Sequence, residues 1–319
     1  MCGKVLLILT MTVSTDLIIG IISLYAIILL GYLAGKRCNV SKESIAALLI
    51  YFISPIVIFN GVATALPNAS VILLPLLFFA LATIISATFY LIGKFFWQGA
   101  ERNVLAFTSG VGNVGYFGLP LIIVLFGEQY LPEAVLSILG FILYENSVGY
   151  YLVARGHFKP RDAFIKMCRL PSMYAFILGL LFLTLHLSIH ESVSALFANF
   201  RGAYSILGMM LVGLGLVGVT ANSLDIKFLS ATFIAKFLVW PIAISSFILL
   251  DTHIFHIFAS SVYPIMLVLS IVPLASNTVA FAAELNVVPG KAAIAVLAST
   301  IFALLYIPLF IATVFPLIL

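Results

Sequence analysis

The sequence predicts an all-α integral membrane protein with about ten transmembrane helices, arranged as two five-helix repeats of opposite orientation. Three observations lead to this fold class. Hydrophobic residues make up 64% of the 319 residues and charged residues only 8%, whereas a soluble protein has about half and about a quarter. Apolar runs of about 20 residues, long enough to cross a bilayer, recur along the chain. Basic residues alternate between the connections, which assigns each connection to a side of the membrane.

The apolar runs follow one another with short connections. We predict spans at 17–34, 44–65, 71–96, 102–126, 132–154, 171–187, 202–220, 227–250, 257–283 and 291–316. The connections are too short for an appended soluble domain, so we expect the whole function to lie in the bilayer. The cysteines, at positions 2, 38 and 168, have no metal-ligand or redox spacing and are interpreted as free thiols.

The basic residues orient the spans. If the first connection is cytoplasmic, 12 of the 15 Lys and Arg residues fall on the cytoplasmic side, as the positive-inside rule requires. The exceptions are Lys4 and Arg201 on the outer side and Lys236 within a span. We therefore expect a multi-pass protein of the cell membrane with both termini outside. Topology explains the net charge of +4, so no nucleic-acid partner is implied.

The most basic connection divides the chain into two halves. Residues 1–155 form the first five-helix repeat, residues 156–170 a basic cytoplasmic linker, and residues 171–319 the second repeat. Each half has an odd number of crossings, so the halves must have opposite orientations. Inverted repeats of this kind are typical of secondary transporters.

Helix-breaking residues interrupt the fourth and the ninth span. The stretch GNVGYFGLP occupies residues 112–120 and VPLASNTVA residues 272–280. Proline removes a backbone donor and clashes with the preceding turn. Unpaired backbone groups persist at membrane depth only where they face protein or a water-filled cavity. Paired interruptions at matching positions therefore predict two broken, crossing helices around a substrate site.

The residues of the two breaks suit a small organic anion. Where a helix is cut, the second piece begins with free amides and a partial positive charge. Asn113 and Asn277 add neutral amide donors beside the breaks. Gly115 lets the backbones approach closely, and Pro120 and Pro273 would keep the helices open. These five residues are the predicted substrate-binding residues.

Glu145 in the fifth span and Lys236 in the eighth lie deepest in apolar sequence among the charged residues. Such residues are costly in lipid and usually face the bundle interior. One interpretation is ion coupling, with Glu145 carrying a proton or helping to bind a cation and Lys236 as its counter-charge. The other is a structural charge pair, or a Lys236 side chain that reaches towards the cytoplasmic surface. The sequence leaves both interpretations open.

Other glycines and prolines have structural interpretations. Gly31 and Gly35 in the first span, and Gly213 with its neighbouring glycines in the seventh, suit close helix packing. Pro55 is expected to kink the second span.

The fourth span also resembles a known family. GNVGYFGLPLIIVLFG looks like the N-x-G-x-x-G-x-P signature of the auxin efflux carrier family, and LLGYLAGKR, FISPIVIF, Lys236 followed by Trp240 and Pro241, and PLASNTVAFA are supporting similarities. The resemblance implies a fold similar to bile-acid sodium symporters, in which a transport domain (spans 3–5 and 8–10) moves against a scaffold (spans 1, 2, 6 and 7). By motif it maps the family's binding residues onto Asn113, Pro120, Pro273 and Asn277. Family members are often homodimers.

The expected function is a secondary carrier of small organic anions, such as auxin-like compounds or mono- and dicarboxylates, that works by alternating access. No cofactor is expected beyond a coupling proton or sodium ion. A cation/proton antiporter or sodium-coupled symporter of the same broad fold is the alternative, although no Asp or Glu lies within either break. The sequence has no G-x-S-x-G, H-E-x-x-H or paired intramembrane aspartates, so we expect no enzyme.

Overall fold

The computed structural model describes residues 13–64, 73–187, 189–218 and 224–318, and this part of the chain is built of helices without strands. In chain order the α-helices are α1 (Val13–Cys38), α2 (Lys42–Leu48), α3 (Ser54–Ala63), α4 (Leu73–Gly93), α5 (Glu101–Ser109), α6 (Leu119–Phe126), α7 (Leu131–Tyr144), α8 (Tyr150–Ala154), α9 (Pro160–Cys168), α10 (Pro171–Thr184), α11 (Glu191–Gly215), α12 (Ile226–Ile234), α13 (Trp240–Leu250), α14 (Tyr263–Ile271), α15 (Asn277–Glu284), α16 (Pro289–Thr313) and α17 (Phe315–Ile318).

Five-residue π-helical turns widen several of these helices. They are Leu49–Ile53, Val114–Gly118, Glu145–Gly149, Ala235–Val239 and Asp251–Phe255. Three of them end two residues before a proline, at Pro55, Pro120 and Pro241. Proline has no N–H for the preceding turn and its ring needs space there, so a widened turn accommodates it without ending the helix. The kink expected at Pro55 is thus a local widening of the helix.

Six helices of the described chain are long and apolar enough to cross a membrane: Lys42–Ala63, Leu73–Gly93, Glu133–Ala154, Val193–Gly215, Ile226–Phe255 and Pro289–Ile318. A seventh is possible if α9 and α10, which meet at 46°, form one bent span. This establishes a multi-pass helical membrane protein. Ten spans in two inverted repeats remain a prediction.

Two boundaries differ from the sequence-based expectation. The predicted linker 156–170 contains the helix α9, whose first residue is Pro160, a position at which proline favours helix initiation. The predicted seventh span at 202–220 is shifted, because α11 begins at Glu191 and ends at Gly215. The first half of α11 carries polar residues, so the search for apolar runs does not include it in a span.

Two pairs of helices pack closely, α1 with α11 and α3 with α10. A Cβ atom on Gly213 would lie 1.9 Å from the Ile28 carbonyl oxygen, and one on Gly31 would lie 2.1 Å from the Met210 carbonyl oxygen. The backbones of α1 and α11 therefore touch, as small residues allow in membranes. The predicted packing role of these two glycines is confirmed.

The remaining helices form a second group around α14. Residues Ile265 to Leu269 of α14 are completely buried, which is typical of a helix at the centre of a bundle. Around it α4 packs against α5 and α7, α12 packs against α5 and α16, and α13 packs against α14. The break that follows α14 therefore lies inside the molecule.

A polar cluster joins three helix beginnings of this second group. Lys291 of α16 forms ion pairs with Asp225 at 3.0 Å and Glu101 at 3.2 Å. Trp97 Nε1 and the Phe228 backbone N–H also donate to the Asp225 carboxylate, each at 3.0 Å. Burial by itself raises the pKa of Asp225, but these hydrogen bonds and the positive charge outweigh it and hold the pKa below its ordinary value. Asp225 therefore stays ionised at neutral pH, and the cluster ties α5, α12 and α16 together.

Candidate functional site

Two non-helical stretches meet inside the second group of helices. The helix α5 ends at Ser109, and helical structure resumes with the turn at Val114. The helix α14 ends at Ile271, and α15 begins at Asn277. The backbone N–H of Asn113 donates to the carbonyl oxygen of Pro273 at 2.7 Å. The two breaks, far apart in sequence, are therefore bonded directly to each other.

Side chains satisfy the carbonyl groups that are released at the end of α5. A helix leaves its last four carbonyls without partners inside the helix, and buried carbonyls need a donor. Trp240 Nε1 donates to the Ser109 carbonyl at 2.8 Å. Tyr144 Oη donates to the carbonyl of Phe107 at 3.3 Å. The first break is therefore closed by two aromatic donors from neighbouring helices.

A lysine side chain donates to a carbonyl group at the end of α14. Lys236 Nζ donates to the Leu269 carbonyl at 3.3 Å and lies 5.1 Å from the centre of the Trp240 ring. In a continuous helix that carbonyl would accept from residue 273, but Pro273 has no N–H. A positive charge at a helix C-terminus is also favourable. A Cβ atom on Gly112 would lie 2.5 Å from Lys236 Nζ, so the amine packs directly against this glycine.

A cavity of about 290 Å³ lies beside the two breaks, at the lower end of the range of about 300–1,000 Å³ for ligand pockets. Its walls come from α3, the first break, α7 with the following π turn, α11 and the second break. Among its described lining residues, Arg201 carries the one basic side chain and Glu145 the one acidic side chain. The other polar side chains on its wall are Asn60, Thr64, Asn113, Asn146, Tyr204, Ser205, Ser276 and Asn277.

Asn113 lines this cavity with a free amide donor. Its side chain is buried at 3% exposure, and its Nδ2 atom has Met209 Sδ as neighbouring acceptor at 3.9 Å. A thioether sulfur is a weak acceptor. The amide of Asn113 can therefore donate to a ligand in the cavity without first losing a strong hydrogen bond.

Asn277 lines the cavity too, but its amide is already engaged. Its Nδ2 atom donates to Glu145 Oε2 at 2.7 Å and to Tyr204 Oη at 3.1 Å. Since an amide has two N–H groups, both are used. Asn277 would have to exchange one of these bonds before it could donate to a substrate, so the two predicted asparagines are not equivalent here.

The other three predicted binding residues have different positions. Gly115 lines the cavity, and a Cβ atom built on it would contact nothing within 4 Å. Pro273 is buried and contributes its carbonyl to the bond with Asn113. Pro120 is the second residue of α6, and its side chain lies outside the described part of the chain. Gly115 is therefore the one of the three that borders open space.

The predicted charge pair between Glu145 and Lys236 is absent from this structure. Lys236 is completely buried and donates to Leu269, while Glu145, 5% exposed, accepts from Asn277. No ion pair joins the two within 4 Å, because each has a partner of its own. Nor does the Lys236 side chain reach the cytoplasmic surface. Ion coupling through Glu145 remains a prediction.

Several polar residues of the cavity were missed in the sequence, among them Ser276, Tyr204 and Arg201. Ser276 is 2% exposed, and its Oγ atom has no hydrogen-bond partner among the described residues. Tyr204 and Arg201 lie on α11, which was expected to be part of a scaffold. Arg201 did carry a signal, since it is a basic residue on the predicted outer side.

Comparisons with known proteins point to transport rather than to an enzyme. Residues 16–157 match a protein family described as membrane transport protein. An uncharacterized transporter of the archaeon Methanocaldococcus jannaschii is 26% identical over 165 residues, which cover 49% of this chain and 53% of that protein. The chain therefore aligns with about half the length of this curated relative. The matched family region includes the first break but not the second.

Proposed function

We propose, because residues 16–157 match the family described as membrane transport protein, that this protein is a secondary carrier of small organic anions. It would work by alternating access, as a multi-pass protein of the cell membrane with both termini outside. The observation that carries the proposal is the cavity of about 290 Å³ where the two breaks meet. Its volume suits a small organic acid. The hydrocarbon interior of the bilayer has no polar groups to solvate such an acid, whereas the wall of the cavity has.

Neutral donors support an anionic substrate. The amide of Asn113 and the hydroxyl of Ser276 border the cavity without strong acceptors among the described residues. Ser276 also directly precedes α15, whose first amides carry a partial positive charge. Donors of this kind bind a carboxylate without the cost of burying a permanent counter-charge.

The packing supports two bodies that move relative to each other. The pairs α1 with α11 and α3 with α10 would be the scaffold, made of spans 1, 7, 2 and 6. The helices around α14 would be the transport domain, made of spans 3–5 and 8–10. We propose ten spans in two inverted repeats, since each half of the chain holds one interrupted helix and the interruptions bond to each other. The carrier would act as a homodimer or a monomer.

The proposal is tested by transport currents. Purified protein in liposomes, on a solid-supported membrane, is given concentration jumps of mono- and dicarboxylates. We expect currents in the wild type and a half-saturating concentration at least about tenfold higher in Asn113→Ala, the cost of one lost hydrogen bond to a charged group. The matched control is Asn199→Ala, which removes an exposed amide from α11 and should behave like wild type. Absence of current for every acid would refute the carrier function.

Glu145 favours a second candidate, a carrier coupled to protons or sodium. Its carboxylate borders the cavity and is 5% exposed, and no basic side chain of the described chain lies within 4 Å of it. An ionised carboxylate in such surroundings is costly unless a proton or cation accompanies it. Organic-anion symport and cation antiport would both use this group, and currents on pH or sodium jumps without any acid would favour the antiporter.

A further inference from the structure

We propose that Arg201 is a substrate-binding residue that selects anions by their charge, preferring dianions to monoanions. This inference rests on the proposed function of the cavity as an organic-anion site. It assigns a role to a residue outside both breaks and outside their motifs.

Arg201 shares one face of α11 with residues that border the breaks. Tyr204 and Ser205 follow it by three and four residues and line the same cavity, as expected for neighbours on a helix face. At about 1.5 Å rise per residue, Tyr204 lies only about 4.5 Å further along the axis. Since Tyr204 Oη bonds to Asn277, Arg201 lies on the face of α11 that is turned towards the second break.

Among the described side chains, the guanidinium has no anionic partner. No carboxylate of the described chain lies within 4 Å of Arg201, and the side chain is exposed. An arginine that faces a cavity in a membrane protein marks a substrate or ion pathway more often than a structural contact. Its planar fork of donors matches the two oxygens of a carboxylate.

The two neutral donors without a strong acceptor, Asn113 and Ser276, lie on other elements than Arg201. Asn113 belongs to the first break and Ser276 to the second, whereas Arg201 belongs to α11. The one acidic lining residue, Glu145, is engaged by Asn277. An acid with two carboxylates can use the neutral donors with one group and the guanidinium with the other. A monoanion can use only one of the two sets, so charge would decide affinity.

Four-carbon acids of different charge test this inference. Currents are recorded for succinate and butyrate with wild type, Arg201→Gln, Arg201→Lys and the control Arg161→Gln, which removes an exposed arginine of α9. We expect wild type to prefer succinate, and Arg201→Gln to raise its half-saturating concentration at least about tenfold. The value for butyrate should change by less than about threefold. Arg201→Lys should retain part of the preference for succinate. The control Arg161→Gln should behave like wild type.

The possible failures separate this inference from the proposed function. Wild-type currents that Arg201→Gln leaves unchanged, or lowers equally for both acids, would refute charge selection while the carrier function stands. A wild type that prefers butyrate would refute it as well. A wild type without current for any carboxylate would overturn the carrier function and this role together. The shift in melting temperature that each acid causes measures its binding, and it shows whether a variant without current is folded.

Discussion

At the scale of single residues, Glu145 is the side chain that we propose couples transport to a proton or a sodium ion. Glu145→Gln keeps an oxygen that can accept the hydrogen bond from Asn277, which is 2.7 Å long in the structure, but it cannot release a proton. If Glu145 couples transport to protons, currents driven by a pH gradient should fall at least about tenfold, and downhill transport of the acid should persist. The transport rate in liposomes, measured as a function of pH, tests this coupling.

The control for this substitution is Glu43→Gln. Glu43 lies in the first turn of α2 and its side chain is 57% exposed, so the same change in charge occurs far from the cavity. A Glu145→Gln protein with the rate and pH dependence of wild type would contradict the coupling role.

Residue types explain which site residues the sequence could indicate. Asn113, Gly115 and Asn277 stand out because they lie beside helix-breaking residues, and all three border the cavity. Asn60 and Asn146 border it too, but no break marks their positions in the sequence. Ser276 and Tyr204 do not stand out, since hydroxyl groups are common in membrane helices. Lys236 was recognised as buried, but its partner is a backbone carbonyl, which no pattern of side chains reveals.

Among the elements, the contact of α1 with α11 is the tightest. Gly213→Ala would place a methyl group 1.9 Å from a backbone carbonyl of α1, so the two helices must separate. Overpacking of this kind costs about 1–3 kcal/mol, and we expect a lower melting temperature in detergent. Gly202→Ala on the same helix is the control, because its Cβ atom would meet nothing within 4 Å and alanine favours helix. Equal melting temperatures for the two variants would contradict this packing.

Helix positions were easier to predict than helix interiors. Apolar runs locate the spans, because the length of a crossing is dictated by the bilayer. The π turns before Pro55 and Pro241 were not predicted, since the sequence alone does not say whether a proline will kink, end or widen a helix. Nor did it indicate that α9 forms within the basic linker.

At the scale of the whole molecule, few hydrogen bonds between described residues join the proposed scaffold to the proposed transport domain. One of them is the bond from Tyr51 Oη to Glu284 Oε1, 2.9 Å long, on the side that we expect to be cytoplasmic. Tyr51→Phe removes it and should favour opening on that side. We expect faster hydrogen–deuterium exchange at the end of α15, about a few-fold. Tyr174→Phe, at a ring that is 61% exposed, is the control, and unchanged exchange in Tyr51→Phe would show that this bond does not hold the two bodies together.

Two of the side chains that donate to the ends of the broken helices come from a single helical turn. Lys236 donates to the end of α14 and Trp240 to the end of α5, and residues four apart project from the same face. The same turn therefore holds both breaks in position. The geometry offered to a substrate would be the same whichever side of the membrane it faces. Such a carrier would be reversible, with the direction of net flux decided by the gradients across the membrane and not by the protein.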